Sequence, residues 1–239
     1  MKKLLLLTVF ILSFVVFLYF TFPIEKFAEH YLCKKLSFKE IAVKRVPLEL
    51  VLKKVEHPEI PVTINKVVVS PEILSLSSDV KKFFVKLILC GGYVEGKVTY
   101  PLSKVSFKVV NFKVDDCKFY KPLELSGLLS GRGTLVFEKE NLIGGSGNFR
   151  LKNFNIKTSK LFPLVEEFQL QDAKVKYKVE KENKVNFKME SSKVSMDGYV
   201  NLNLKNIYNS YLSVNLKLNF NWQNLSFKLK GFINRLSVE

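Results

Sequence analysis

The strongest constraint in this sequence is a period of two. Residues 211–220 (YLSVNLKLNF) set Leu212, Val214, Leu216, Leu218 and Phe220 on one side of an extended chain and Ser213, Asn215, Lys217 and Asn219 on the other. Successive strand side chains point to opposite faces, so the pattern predicts a strand with one buried and one wet face. The same alternation runs through Val105-Phe107-Val109, Val175-Tyr177-Val179, Val185-Phe187-Met189, Val200-Leu202-Leu204 and Leu225-Phe227-Leu229, with Lys, Asn and Ser interleaved. The polar run 180–184 has the length and composition of a hairpin loop, and Asp197-Gly198 marks a further turn. One helix candidate interrupts the pattern, at 71–84, and its serines make it short or irregular.

The implied fold class is mainly β: about a dozen short antiparallel strands rather than alternating βα units, in one elongated domain over residues 37–239. A sheet with one apolar face must cover it. It either folds over as a sandwich or barrel, or curls as a curved sheet into a groove that holds something else. Periodicity does not separate these alternatives.

The amino-terminal end is of another kind. Residues 4–22 (LLLLTVFILSFVVFLYFTF), which include Leu4, Phe10, Phe14, Phe17 and Phe22, carry no charge and follow only Met1-Lys2-Lys3. About twenty apolar residues suffice for a helix to cross the hydrocarbon core, so residues 1–22 read as a transmembrane signal-anchor. A cleaved signal peptide is the competing reading, but bulky residues fill the place of a small-x-small cleavage site. The short basic start favours a cytoplasmic amino terminus and an exported remainder, although Lys26, Lys34 and Lys35 on the far side weaken the signal. Over 23–36, Ile24, Phe27, Ala28, Tyr31, Leu32 and Leu36 recur at three and four residue spacing, the mark of an amphipathic helix. It either lies on the membrane surface or packs its apolar stripe on the following sheet.

The charge of +16 comes from 38 basic against 22 acidic residues, only four of the basic ones being arginine. Nucleic-acid readers lean on arginine and on a concentrated patch, whereas these lysines are scattered, so nucleic acid is not an expected partner. A lysine-rich surface instead favours anionic lipid or acidic partners.

Little in the sequence speaks for catalysis, a metal or a cofactor. The only histidines, His30 and His57, have no ligand or acid-base set around them, and Asp115-Asp116 and Glu166-Glu167 read as solvated turns or strand ends. The chain is therefore expected not to be an enzyme. Cys33, Cys90 and Cys117 lack metal-like spacing; Cys90 and Cys117 can bridge in an oxidising compartment, but a thiol buried as a small hydrophobe is the expected state of each.

Residues 124–149 hold six of the eleven glycines: Gly127, Gly131, Gly133, Gly144, Gly145 and Gly147. A phosphate-binding loop lies between a strand and a helix. Here Gly131-Arg132-Gly133 and Gly145-Ser146-Gly147 run into strand-like segments, with a hairpin turn at 138–141 between them. The glycines are read as bends and close backbone approaches in a β-sheet, not as an anion cradle.

Taken in order, several features resemble the type II secretion system protein N (GspN) family. They are the Lys2-Lys3 pair, the apolar segment ending in Thr21-Phe22-Pro23, the amphipathic helix, Pro47-Leu48-Glu49-Leu50, Gly91-Gly92-Tyr93-Val94-Glu95-Gly96-Lys97-Val98, and 125–135 (LSGLLSGRGTL). The resemblance implies a single-pass protein of the Gram-negative inner membrane with its bulk in the periplasm. It also implies an accessory role in protein secretion, with other secretion-system components and membrane lipid as partners. The L-S-G-x-L-S-G style is similar also to AsmA-type β-repeat proteins, which implies a groove that takes phospholipid. Neither family supplies catalytic residues.

Overall fold

The structure, a computed structural model, describes residue 13 and residues 24–33, 36–57, 60–101, 103–117, 124–139, 141–157, 167–206, 209–219, 224–233 and 235–238. Apart from residue 13, the expected membrane span, including Leu4, Phe10, Phe14, Phe17 and Phe22, lies outside them. Among the described residues no helix is long and apolar enough to cross a membrane.

The chain is mainly β, and its strands form one open antiparallel sheet in sequence order. Helix α1 (Ile24–Leu32) leads into β1 (Glu40–Arg45), β2 (Leu48–His57), β3 (Ile60–Pro71), β4 (Lys81–Leu89) and β5 (Gly92–Tyr100). Then follow β6 (Lys104–Lys113) and the two longest strands, β7 (Glu124–Glu138) and β8 (Asn141–Lys157). The carboxy-terminal part adds β9 (Glu167–Lys181), β10 (Lys184–Ser191), β11 (Val194–Asn201), β12 (Tyr211–Asn219), β13 (Asn224–Phe232) and β14 (Arg235–Val238). Each strand pairs with the one before and the one after, the simplest solution for period-two segments joined by short loops.

The register explains the alternation. A line drawn across all fourteen strands through directly paired residues passes Val43, Leu50, Val69, Val85, Gly96, Phe107, Gly133, Gly147, Tyr177, Phe187, Gly198, Val214, Leu229 and Val238. Every member is apolar, aromatic or glycine, so one face of the sheet is apolar from edge to edge. Its buried residues gather in three clusters. Leu52, Val55 and Val67 sit under α1; Leu89 joins Cys90 and Cys117; Leu151, Phe154, Ala173, Met189, Val194 and Leu216 fill the carboxy-terminal half.

The six glycines of 124–149 lie inside the strands of the β7–β8 hairpin, not in its turn. Gly133 faces Gly147, and Tyr177 and Phe107 lie over them, so that a Cβ on Gly147 would collide with the Tyr177 ring. Phe149 stacks on both rings, 6.1 Å from Phe107 and 6.0 Å from Tyr177 between centroids. The absent side chains are what let aromatic rings lie flat on backbone.

At Gly127 and Gly145 the backbone itself takes φ of +135° and +140°, beside irregularities in the pairing.

Three expectations are corrected. Asp197-Gly198 is not a turn: Gly198 sits mid-strand in β11 between Phe187 and Val214, and its lack of a side chain serves close packing against the neighbouring strand. The helix candidate at 71–84 shrinks to one 3-10 turn (Ile73–Ser75), because Lys81 to Leu89 alternates and pairs as β4. Cys90 and Cys117 are bridged, not free thiols; the turn after β4 and the turn after β6 bring their Cα atoms to 5.3 Å.

The amphipathic helix expected over 23–36 is helical from Ile24 to Leu32. Its Leu32, with Leu36 and Phe38 beyond it, packs on the Leu52–Val55–Val67 cluster, which favours the sheet-packing reading of its stripe. A Glu25 Oε1 accepts a hydrogen bond from Val43 N at 3.3 Å, which occupies a backbone donor of edge strand β1.

Candidate functional site

The face opposite the apolar line carries the chemistry. On β9 the residues flanking Tyr177 are Lys176 and Lys178, and on β13 those flanking Leu229 are Lys228 and Lys230. Pairing extends each into a row. One row runs Asn148, Lys176, Lys188, Asp197, Asn215, Lys228; the next runs Ser146, Lys178, Asn186, Tyr199, Ser213, Lys230. These two rows line a trough of about 1230 Å³ across β6 to β13, whose charged lining is Lys104, Lys176, Lys178, Lys184, Lys188, Lys228 and Lys230 against Asp197.

A second trough, of about 790 Å³, continues the same face across β3 to β8 and is differently balanced. There Lys108 pairs with Glu95 at 3.6 Å, Lys86 lies 4.4 Å above the Tyr93 ring and Lys97 lies 4.7 Å above Phe84. These three cations have local partners, as Lys184 of the other trough does in the Tyr199 ring at 4.8 Å, while Arg132 here stands opposite Lys108. The carboxy-terminal trough keeps more of its charge.

Its most telling feature is a like-charge pair: Lys176 stands directly opposite Lys188. Equal charges across a strand pair destabilise a sheet, so this placement does not serve stability. Glu190 relieves it in part. Its carboxylate meets Lys188 Nζ at 2.6 Å, and the Lys188 hydrogen bond and charge, with help from Lys176 and Lys174, hold its pKa below the usual carboxylate range. The same bond to Glu190, then the Glu190 and Asp197 charges, push the Lys188 ammonium up. Asp197 itself accepts a hydrogen bond from Asn215 Nδ2 at 3.2 Å.

On the reverse side Tyr177 is the one strongly shifted group. Burial raises its phenol to about 12, against the opposing effect of its 2.9 Å hydrogen bond to the Thr134 carbonyl. It is therefore a neutral donor locking β9 to β7 across β8. Proton transfer at neutral pH does not suit it.

An array of ammonium groups interleaved with Asn, Ser and Thr attracts and holds anions through single, well-hydrated contacts. Among the described residues no group of three or more His, Cys, Asp or Glu is placed to hold a metal ion. His30 is exposed on α1 and His57 ends β2, both away from the trough. No family model, no curated protein and no solved structure matches this chain.

The sequence had given the raw material of this site, lysine and asparagine at the polar positions of alternating strands. What it lacked was register, which decides that Lys176 faces Lys188 and that β9 and β13 contribute to one surface. The glycines singled out earlier contribute backbone, not ligands: Gly145 and Gly147 also border the trough.

Proposed function

We propose that this chain is a membrane-anchored, non-enzymatic accessory component of a type II protein secretion system in the cell envelope, in which the sheet is a platform for an acidic protein partner. The observation that carries the reading is the excess of lysine in the trough over β6–β13, seven lysines against Asp197, with Lys176 opposite Lys188. Unfavourable charge placed on a rigid scaffold is commonly kept for binding. The ordered resemblance to the GspN family adds the location: an anchor in the inner membrane and the sheet in the periplasm. The β1 edge is already engaged by Glu25 of α1, which favours the charged face over strand addition as the docking surface.

Photo-crosslinking residues placed at Lys176, Lys178 or Lys228 in the full chain at native abundance are expected to trap secretion-system proteins. Recovery of none would overturn the reading.

A second reading rests on the other face. One unbroken sheet with an apolar line through all fourteen strands suits an AsmA-like groove that handles phospholipid. Native mass spectrometry of the detergent-purified chain separates the two. Stoichiometric phospholipid supports the groove, and a lipid-free chain that still traps protein supports the platform.

A further inference from the structure

We propose that the end of the sheet carrying the β1–β2 and β3–β4 connections is a second membrane-contacting element, dipping its β3–β4 loop into the bilayer that residues 4–22 are read to cross; the inference rests on that anchor reading.

The first observation is where the chain comes from. Glu25, at the start of α1, bonds to Val43 in the upper part of β1, whereas Leu32, at its end, packs on Leu52 and Val55 farther down β2. The helix thus descends along the sheet edge. Its amino-terminal end therefore lies toward the end where β1 turns into β2.

Exposed apolar side chains collect at that same end. Ile73 and Leu74 are 70% and 90% exposed on the β3–β4 loop, joined by Val80, by Val46 in the β1–β2 turn and by Tyr100 at the end of β5. Of the large apolar residues that stand exposed among the described ones, all but Tyr31 and Phe84 lie at or beside connections of this end. Scattered exposed apolar residues need no explanation, but such one-ended clustering marks an interaction surface.

The loop is also built to leave water. Ser75 is buried; its Oγ donates to the Glu72 carbonyl at 2.7 Å and accepts from Lys82 N at 2.9 Å. Ser75 N, Leu76 N and Ser78 N all bond carbonyls within the loop, and Ser78 Oγ lies 2.6 Å from Val80 O. Backbone groups bonded within the loop lower the cost of bringing its tip to the headgroup level, with the Glu72 carboxylate held back at its base. At the base of the loop Lys81 pairs across the strand with Tyr100, a cation and an aromatic of the type that settle at the headgroup level. Asp79 on the loop's other limb keeps insertion shallow, with Ile73 and Leu74 as the tip.

A bilayer, not a protein groove, is the occupant because α1 starts at this end and, on the anchor reading, follows directly on a membrane span. The test uses the full chain in lipid nanodiscs with Cys33→Ser, so that a single environment-sensitive fluorophore is attached at Leu74→Cys, at Ser192→Cys on the opposite end, or at Phe10→Cys in the anchor. Shallow spin-labelled lipid is expected to quench the Leu74 label about twofold or more, as for a side chain at the acyl boundary, and to leave the Ser192 label unchanged. Adding Ile73→Asp should abolish the Leu74 quenching. An unquenched Leu74 label beside a Phe10 label quenched by deep spin-labelled lipid overturns this inference and leaves the anchor standing; if deep spin-labelled lipid leaves the Phe10 label unquenched too, both fall. Equal quenching at Leu74 and Ser192, or shielding of Leu74 that appears only when a protein is added, also overturns it.

Discussion

The two faces of the sheet are held to different standards. On the apolar face, Phe107, Phe149 and Tyr177 are seated on Gly131, Gly133 and Gly147, so that single added carbons collide with neighbours. On the lysine face the side chains are mostly exposed, and two of them oppose each other without a packing reason. The first face specifies shape and the second specifies charge. Substitutions should therefore separate cleanly, stability following one face and binding the other.

The sharpest break is expected at the glycines. Gly145→Val combines a φ of +140° with collision against the Thr134 carbonyl and should cost about 4 kcal/mol, enough to prevent folding of a marginal domain. Loss of the cooperative thermal transition of the full chain, followed by circular dichroism, checks this. Gly147→Val should act almost as strongly. Removing the Cys90–Cys117 bridge, which closes 27 residues, is expected to cost about 3 kcal/mol, read as a lower denaturant midpoint for the double serine variant.

Much of the shape face was legible in the sequence. The period-two runs placed β6, β10, β12 and β13 within a few residues and found the second half of β9, because alternation is a local property of a half-buried strand, whereas of Val200-Leu202-Leu204 only Val200 lies in a strand. What failed were signals whose meaning depends on a neighbour. Asp197-Gly198 has turn chemistry, yet the glycine is there because the Ser213–Val214 backbone of the next strand leaves no room for a Cβ. Cys90 and Cys117 pair only because two turns meet at the same end of the sheet. The 71–84 stretch mixes an apolar loop with the start of a strand, which blurs both periods. The charged face was legible as composition and illegible as a site, since no lysine in one strand reveals which lysine will oppose it.

A smaller effect probes the seam between the faces. Tyr177→Phe loses the bond to the Thr134 carbonyl and should cost about 1 kcal/mol. It should also change the alkaline response. The folded-state phenol titrates near 12, above its ordinary 10, so the folded chain keeps that proton longer than the unfolded one does. The contribution is fully present below about pH 10 and fades as pH rises toward 12. Denaturant midpoints between those limits should fall more steeply for the wild-type chain than for Tyr177→Phe.

The smallest effect on stability is expected on the lysine face. The triple variant Lys176→Glu, Lys178→Glu, Lys228→Glu should unfold within about 0.5 kcal/mol of the wild type. Its co-purification with an acidic partner should nevertheless disappear, and that of the wild type should weaken with added salt. A triple variant that unfolds like Gly145→Val would collapse the distinction between the faces.

Strand order has a consequence for biogenesis. Because every strand pairs only with its sequence neighbours, no part of the sheet waits for a distant segment, and contact order stays low for an all-β chain. A polypeptide whose strands emerge in sequence order during synthesis can add hairpins vectorially, each new strand templated by the exposed rim of the one before. Such a nascent sheet never has to hold more than one growing rim in reserve.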